Sequence, residues 1–172
     1  MKESMFCFQC QETAKGTGCT VRGVCGKNST TSARMDLLLF VIRGISIAAH
    51  TLRTHRILPD PQVNAFVIDA LFSTITNANF DEKSITERIN RGFNLRNRLV
   101  AQASSAGITF PSADELTWNG APEAYDDKAA EVGVLREPNE DLRSLKELIV
   151  YGLKGMAAYT GHAMRLGSVR NS

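Results

Sequence analysis

Cys7, Cys10, Cys19 and Cys25 are the four cysteines of this 172-residue protein, and they fall in the pattern C-x2-C-x8-C-x5-C. No thiol occurs in the rest of the chain, so the pattern reads as one four-thiolate site. Thiolates are ligands for soft metal ions and for iron–sulfur clusters. Gly16, Gly18, Gly23 and Gly26 let the stretch take positive φ and approach a ligand closely. Turns of that kind aim successive N–H groups at an anion, and Lys15, Arg22 and Lys27 can offset its charge. Three chemistries compete. Disulfides belong to oxidising compartments, whereas Met1–Ser4 is all that precedes Met5 and carries no apolar leader, so a reducing cytoplasm is the expectation. Zinc takes four cysteines readily, but its sites usually close with a second C-x2-C pair, and five residues separate Cys19 from Cys25. Iron–sulfur clusters accept irregular spacing because their ligands sit at separate corners of a larger object. The spacing favours the cluster; zinc stays open as the alternative.

The rest of the chain must position this loop. Asn28–Ser32 is polar and rich in capping residues, and an apolar pattern then runs from Met35 to about Arg53. It is too long for a strand and apolar on more than one face, which predicts a central buried helix. Gly44 lies inside it and predicts a close helix crossing. Leu58-Pro59-Asp60-Pro61 ends that helix and starts another, with Asp60 as N-cap and Pro61 in the first turn. Its stripe reaches about Asn77. A third helix follows Asp81 and runs from Glu82 to Ser105, stopping at Gly107. Short connections between three helices predict a bundle. Residues 108–138 read as an irregular bridge with a short helix near 123–131, and Trp118 is expected to pack it onto the bundle.

The last segment repeats the first helix. Glu147-Leu-Ile-Val-Tyr-Gly-Leu-Lys-Gly-Met-Ala mirrors Asp36-Leu-Leu-Leu-Phe-Val-Ile-Arg-Gly-Ile-Ser, a period of 111 residues. Acid, aliphatic run, aromatic, base and glycine fall at the same offsets. Asn139 or Asp141 caps this helix, which runs from Leu142 to about Arg165. The fold class expected is therefore all-α: a cysteine loop (1–30), a three-helix bundle (31–107), a bridge (108–138), and the first helix of a second, incomplete bundle (139–172). A helix this apolar needs a cover, so homo-oligomerisation through it is expected.

The run Met5-Phe-Cys-Phe-Gln-Cys-Gln-Glu-Thr-Ala, then Gly18-Cys-Thr and Gly23-Val-Cys-Gly-Lys, resembles the amino terminus of the hybrid cluster protein (prismane, hydroxylamine reductase) family. The spacing is similar to the form found in strict anaerobes, whose amino-terminal cysteines hold a [4Fe-4S] cubane. The stretch Asp141-Leu-Arg-Ser-Leu-Lys-Glu-Leu-Ile-Val-Tyr-Gly-Leu-Lys-Gly-Met-Ala-Ala-Tyr resembles the same family's amino-terminal helical domain, which is built from two three-helix bundles. The resemblance implies Cys7, Cys10, Cys19 and Cys25 as ligands of an electron-transfer [4Fe-4S] cluster. It places hydroxylamine reduction to ammonia, and proposed nitric oxide reduction, at a hybrid cluster held by later domains. With no cysteine beyond Cys25, the chain would not be catalytic alone, and no catalytic residue carries over. Its partner would be a redox protein or the missing catalytic domains. The alternative is a helical interaction module with a four-cysteine zinc site. A third outcome is an empty site, with a mobile loop, in protein purified in air.

Composition closes other routes. Apolar residues make up 43% and the net charge is +2, so nothing calls for nucleic acid or a membrane surface. No apolar run approaches the roughly 20 residues of a membrane span, so none is expected. His50, His55 and His162 read as structural or surface residues. Glu12, Asp36 and Glu147 read as caps or helix-face charges, with no sign that they meet.

Overall fold

The structure is a computed structural model that describes residues 5–75 and 77–167. Met1–Ser4, on which the reading of a missing leader rests, and the tail from Ser168 lie outside the described residues. The described residues form six α-helices and no strand. These are α1 (Ser29–Thr54), α2 (Gln62–Ser73), α3 (Glu82–Ser105), α4 (Asp114–Thr117), α5 (Tyr125–Val132) and α6 (Glu140–Arg165).

Each long helix begins where a side chain can satisfy its free N–H groups. Asn28 Oδ1 accepts from Thr31 N at 2.8 Å, so α1 starts six residues before the apolar run that announces it. Asp60 Oδ1 accepts from Gln62 N at 2.8 Å, and Asp81 Oδ1 accepts from Lys83 N at 3.0 Å. Of the two candidates for α6, Asn139 is the cap, accepting from Leu142 N at 3.0 Å. The end of α3 is closed by a Schellman pair, Ile108 N to Ala103 O and Gly107 N to Ser104 O, both 3.0 Å. Gly107 takes φ 72° there, so α3 matches its expected bounds.

α1 is the axis of the molecule. Met35, Leu37, Leu38, Val41, Ile45 and Leu52 are fully buried, packed chiefly against α3 and α5. In length and composition α1 also meets the standard of a membrane span, contrary to the expectation from sequence, and most of that window is buried inside the protein. Gly44 does sit at a close helix approach, as expected, and the neighbour is α4. A Cβ there would meet the Glu115 carbonyl oxygen at 2.1 Å, so the glycine seats α4, a turn of helix that no sequence signal announced. Arg96 of α3, with no exposed surface, donates to the same carbonyl at 3.0 Å. Gly92 of α3 makes a second close approach, where a Cβ would lie 2.6 Å from Val41 Cγ1.

Trp118 follows α4 and lies among Phe40, Phe93 and Tyr125, at ring-centroid distances of 6.2, 5.7 and 6.1 Å. It packs the bridge onto α1 and α3, as expected. Arg34 of α1 pairs with Asp126 of α5. α2 turns one side to α1 and α3 and packs more extensively on α6. Only Lys154 and Ala157 of α6 are buried. Leu145, Leu148, Ile149, Met156 and Tyr159 form an exposed apolar stripe.

Candidate metal centre

The four cysteines occupy the loop before α1. Cys7 and Cys19 pair as an antiparallel bridge, Cys7 N to Cys19 O at 3.0 Å and Cys19 N to Cys7 O at 2.9 Å. Both are buried, while Cys10 and Cys25 are half-buried, and all four are free thiols. The bridge fixes one thiol pair on a short ribbon, and the intervening chain returns through a 3-10 turn at Ala14–Gly16. At Gly18, with φ 134°, a side chain would collide with the Phe6 ring at 2.5 Å. Gly23 has ordinary φ and is needed for space, since a Cβ there would lie 3.1 Å from Cys25 Sγ and 3.2 Å from Lys27 N.

The loop presents N–H groups and cations to the sulfurs. Ala14 N donates to Cys19 Sγ at 3.4 Å. Burial pushes the Cys7 thiol up, while hydrogen bonds from Ser32 and the Gln9 backbone favour its thiolate. Of the three cations expected to offset charge, Lys15 and Arg22 are exposed. Arg22 instead staples the loop, donating to Gly26 O at 3.0 Å. Lys27 is buried at 4% exposure. Its Nζ donates to Ile75 O at 2.9 Å and lies 3.4 Å from Met35 Sδ. Burial lowers its pKa, against the pull of Cys25, Cys7 and Cys10.

A second buried lysine comes from α6, and sequence reasoning missed it. Lys154, 2% exposed, donates to Gln9 O at 2.8 Å and to Gln9 Oε1 at 2.5 Å. Burial brings its pKa down to about 8, opposed by Glu147, Asp36, Cys7 and Cys10. One turn earlier, Tyr151 Oη donates to Phe8 O at 2.8 Å and to Cys10 O at 3.4 Å. Three consecutive carbonyls between and at the first two cysteines are therefore held by one helix. A cleft of about 260 Å³ opens beside them, lined by Gln9, Cys10, Tyr151 and Lys154 among others.

Asp36 and Glu147, read separately from sequence, line one cavity, and the charge of Glu147 acts on Asp36. Gln9 Nε2 donates to Asp36 Oδ1. Burial first, and Glu147 after it, raise the Asp36 pKa to about 7 against Gln9, Lys154 and Arg43. Burial also raises Glu147, opposed by Lys154 and Arg43. One acid and one base of the two repeat copies, Asp36 and Lys154, thus reach the cysteine loop through Gln9. The one available hint was the repeat itself, which preserves both the acid and the base. The histidines stay outside this group. His55 Nδ1 lies 2.9 Å from Thr51 O at the end of α1, and His162 meets the Phe72 ring edge at 5.5 Å.

Among the described residues, no three His, Cys, Asp or Glu side chains gather as ligands of a single ion. The donor set suits a larger anionic group: four thiols in one loop, an N–H on sulfur, and two buried ammonium groups bonded to neutral oxygens.

This is an all-helical protein with an amino-terminal four-cysteine loop. The Prismane/CO dehydrogenase family matches residues 5–172, and the chain belongs to that family. It is 52% identical over 164 residues to a hydroxylamine reductase of Bacteroides thetaiotaomicron, covering 95% of this chain and 29% of that protein. The values for a hydroxylamine reductase of Bacteroides fragilis strain YCH46 are 53% over 165 residues, 95% and 29%. For one of Desulfitobacterium hafniense they are 50% over 172 residues, 98% and 31%. The chain spans under a third of the length of these curated relatives.

Proposed function

We propose that the chain is the iron–sulfur electron-transfer domain of a hydroxylamine-reductase-type protein, with Cys7, Cys10, Cys19 and Cys25 holding a [4Fe-4S] cluster. One observation carries the reading: four thiols share one loop with the buried ammonium group of Lys27, close enough for Cys7, Cys10 and Cys25 all to act on it. When bound, a cluster of this kind would supply one-electron transfer. The chain's own residues do the rest. The Cys7–Cys19 bridge presets two ligands, the bonds from Ser32, Gln9 N and Ala14 N favour thiolate sulfur, and Phe6 and Phe8 stack on each other beside Cys7. Cys10 is half-buried and lines the open cleft, on the side from which an electron could enter.

Reduction of hydroxylamine to ammonia, and of nitric oxide, belongs in this proposal to the whole protein, at a hybrid cluster for which this chain has no further cysteine. The acceptor is accordingly that catalytic part or a redox partner, and the setting a reducing cytoplasm. The test is iron, sulfide and zinc content of anaerobically purified protein, with an EPR spectrum after dithionite. The expected result is roughly four irons and four sulfides per chain with a reduced-cluster signal. One zinc without sulfide would replace this reading by the structural zinc module.

A further inference from the structure

We propose that Lys154 and Tyr151 of α6 are positioning residues for the four-cysteine loop, and that the Lys154 ammonium is a fixed counter-charge for whatever anionic group the thiolates hold. The latch rests on geometry alone. Its counter-charge role rests on the cluster reading above.

The loop is rich in glycine and only Met5, Cys7 and Cys19 of it join the hydrophobic core, so much of its order must come from polar contacts with the helices. α1 supplies one side, through Ser32 Oγ donating to Phe6 O at 3.2 Å and through Gln9 donating to Asp36. The other side is held by α6. Tyr151 takes the carbonyls of Phe8 and Cys10, and Lys154 takes that of Gln9 together with its side-chain oxygen. The Phe8 ring also stacks on Tyr151, with centroids 5.8 Å apart. These contacts join residues more than 140 positions apart.

A surface lysine could make such bonds without consequence, but this ammonium is almost wholly buried. Burying a charge on carbonyl oxygens is costly unless something compensates. Asp36 and Glu147 offer only part of that compensation, because burial drives both towards their neutral forms. Cys7 and Cys10 act on the ammonium in the same direction, after Glu147 and Asp36, and burial still outweighs all four. Lys27, buried within the loop, is a second cation on which Cys7 and Cys10 act. A positive charge in a dry site favours the more negative, reduced state of a bound cluster.

The experiment uses the full chain, anaerobically loaded with iron and sulfide, as wild type, Lys154→Met, Lys154→Arg, Tyr151→Phe and, as an exposed control, Lys15→Met. Amide exchange is measured on the metal-free proteins, and midpoint potential by EPR-monitored redox titration on the loaded ones. Exchange in residues 8–10 should be about tenfold faster or more in Lys154→Met and Tyr151→Phe, the worth of a lost charge-assisted or buried hydrogen bond. Exchange in α1 and α3 should be unchanged. The midpoint potential of Lys154→Met should be lower than that of wild type, with Lys154→Arg and Lys15→Met close to wild type. Wild-type exchange in the loop of both variants would overturn the latch. An unshifted potential in fully loaded Lys154→Met would overturn the counter-charge. A wild-type chain that takes zinc and no sulfide would defeat the electron-transfer reading, and the exchange comparison alone would then decide the latch. Loss of loading in Lys154→Met alone, with faster loop exchange, would support it.

Discussion

At the scale of single residues, the site combines donors that spacing reveals with charges that it hides. Asp36 is the most testable of the hidden ones. Its neighbours are Gln9 from the loop, Arg43 on its own helix, and Glu147 and Lys154 from α6. In the folded chain it keeps its proton to about pH 7, against an ordinary value of 3.8. The unfolded chain therefore releases that proton first, and folding loses stability as pH rises through the window between about 4 and 7. Lys154 acts in a separate window: depressed to about 8 from 10.5, it adds stability as pH rises between those values. Asp36→Asn should remove the lower-window loss. In urea unfolding of the metal-free chain, the gap between variant and wild type should change by roughly 4 kcal/mol between pH 4 and pH 7.5. Parallel pH profiles would show that Asp36 ionises normally. The four cysteines and Lys27 were legible in sequence because they are neighbours in the chain. Lys154, Gln9 and Asp36 were not, because each gains its meaning from a contact across more than 25 positions.

At the scale of elements, what could be read was whatever local chemistry decides. Asp81, Gly107 and the stripe between them delimit α3 without help from the rest of the molecule. α4 could not be read that way, since four residues cannot hold a helix alone and its place depends on Gly44 and Arg96. The repeat makes a paired experiment possible here. Gly44 and Gly155 stand at the same position of the two copies, yet a Cβ at Gly155 meets nothing within 4 Å. Gly44→Ala should therefore cost about 1–3 kcal/mol by driving a methyl group into the α4 backbone, with altered Trp118 fluorescence. Gly155→Ala should instead stabilise α6 by up to about 1 kcal/mol, its helix-propensity gain. Equal effects at the two glycines would mean that the repeat copies have equivalent surroundings, against the packing described.

At the scale of the whole molecule, the two repeat helices have unequal fates. α1 is enclosed by α3, α4 and α5, whereas α6 rests on α2 and the cysteine loop and turns an apolar stripe outward. The amphipathic pattern in α6 and its need of a cover were legible; which side α2 and the cysteine loop take was not, because periodicity marks an apolar face without naming what lies against it. Leu148 and Ile149 are 66% and 65% exposed, and a contiguous stripe of such residues is a surface that associates. By itself the chain should therefore self-associate through α6, in keeping with the homo-oligomer expected from sequence. Leu148→Glu with Met156→Lys should weaken that association. Neither residue touches the latch, since Tyr151 and Lys154 lie on the side of α6 that faces the loop, so the double variant should keep loop exchange and metal loading. Sedimentation equilibrium across a concentration series distinguishes the outcomes. A wild-type chain that stays monomeric throughout would refute self-association. A variant that dissociates but also loses its metal would show that association and the cysteine loop are coupled, contrary to the separation of faces on α6.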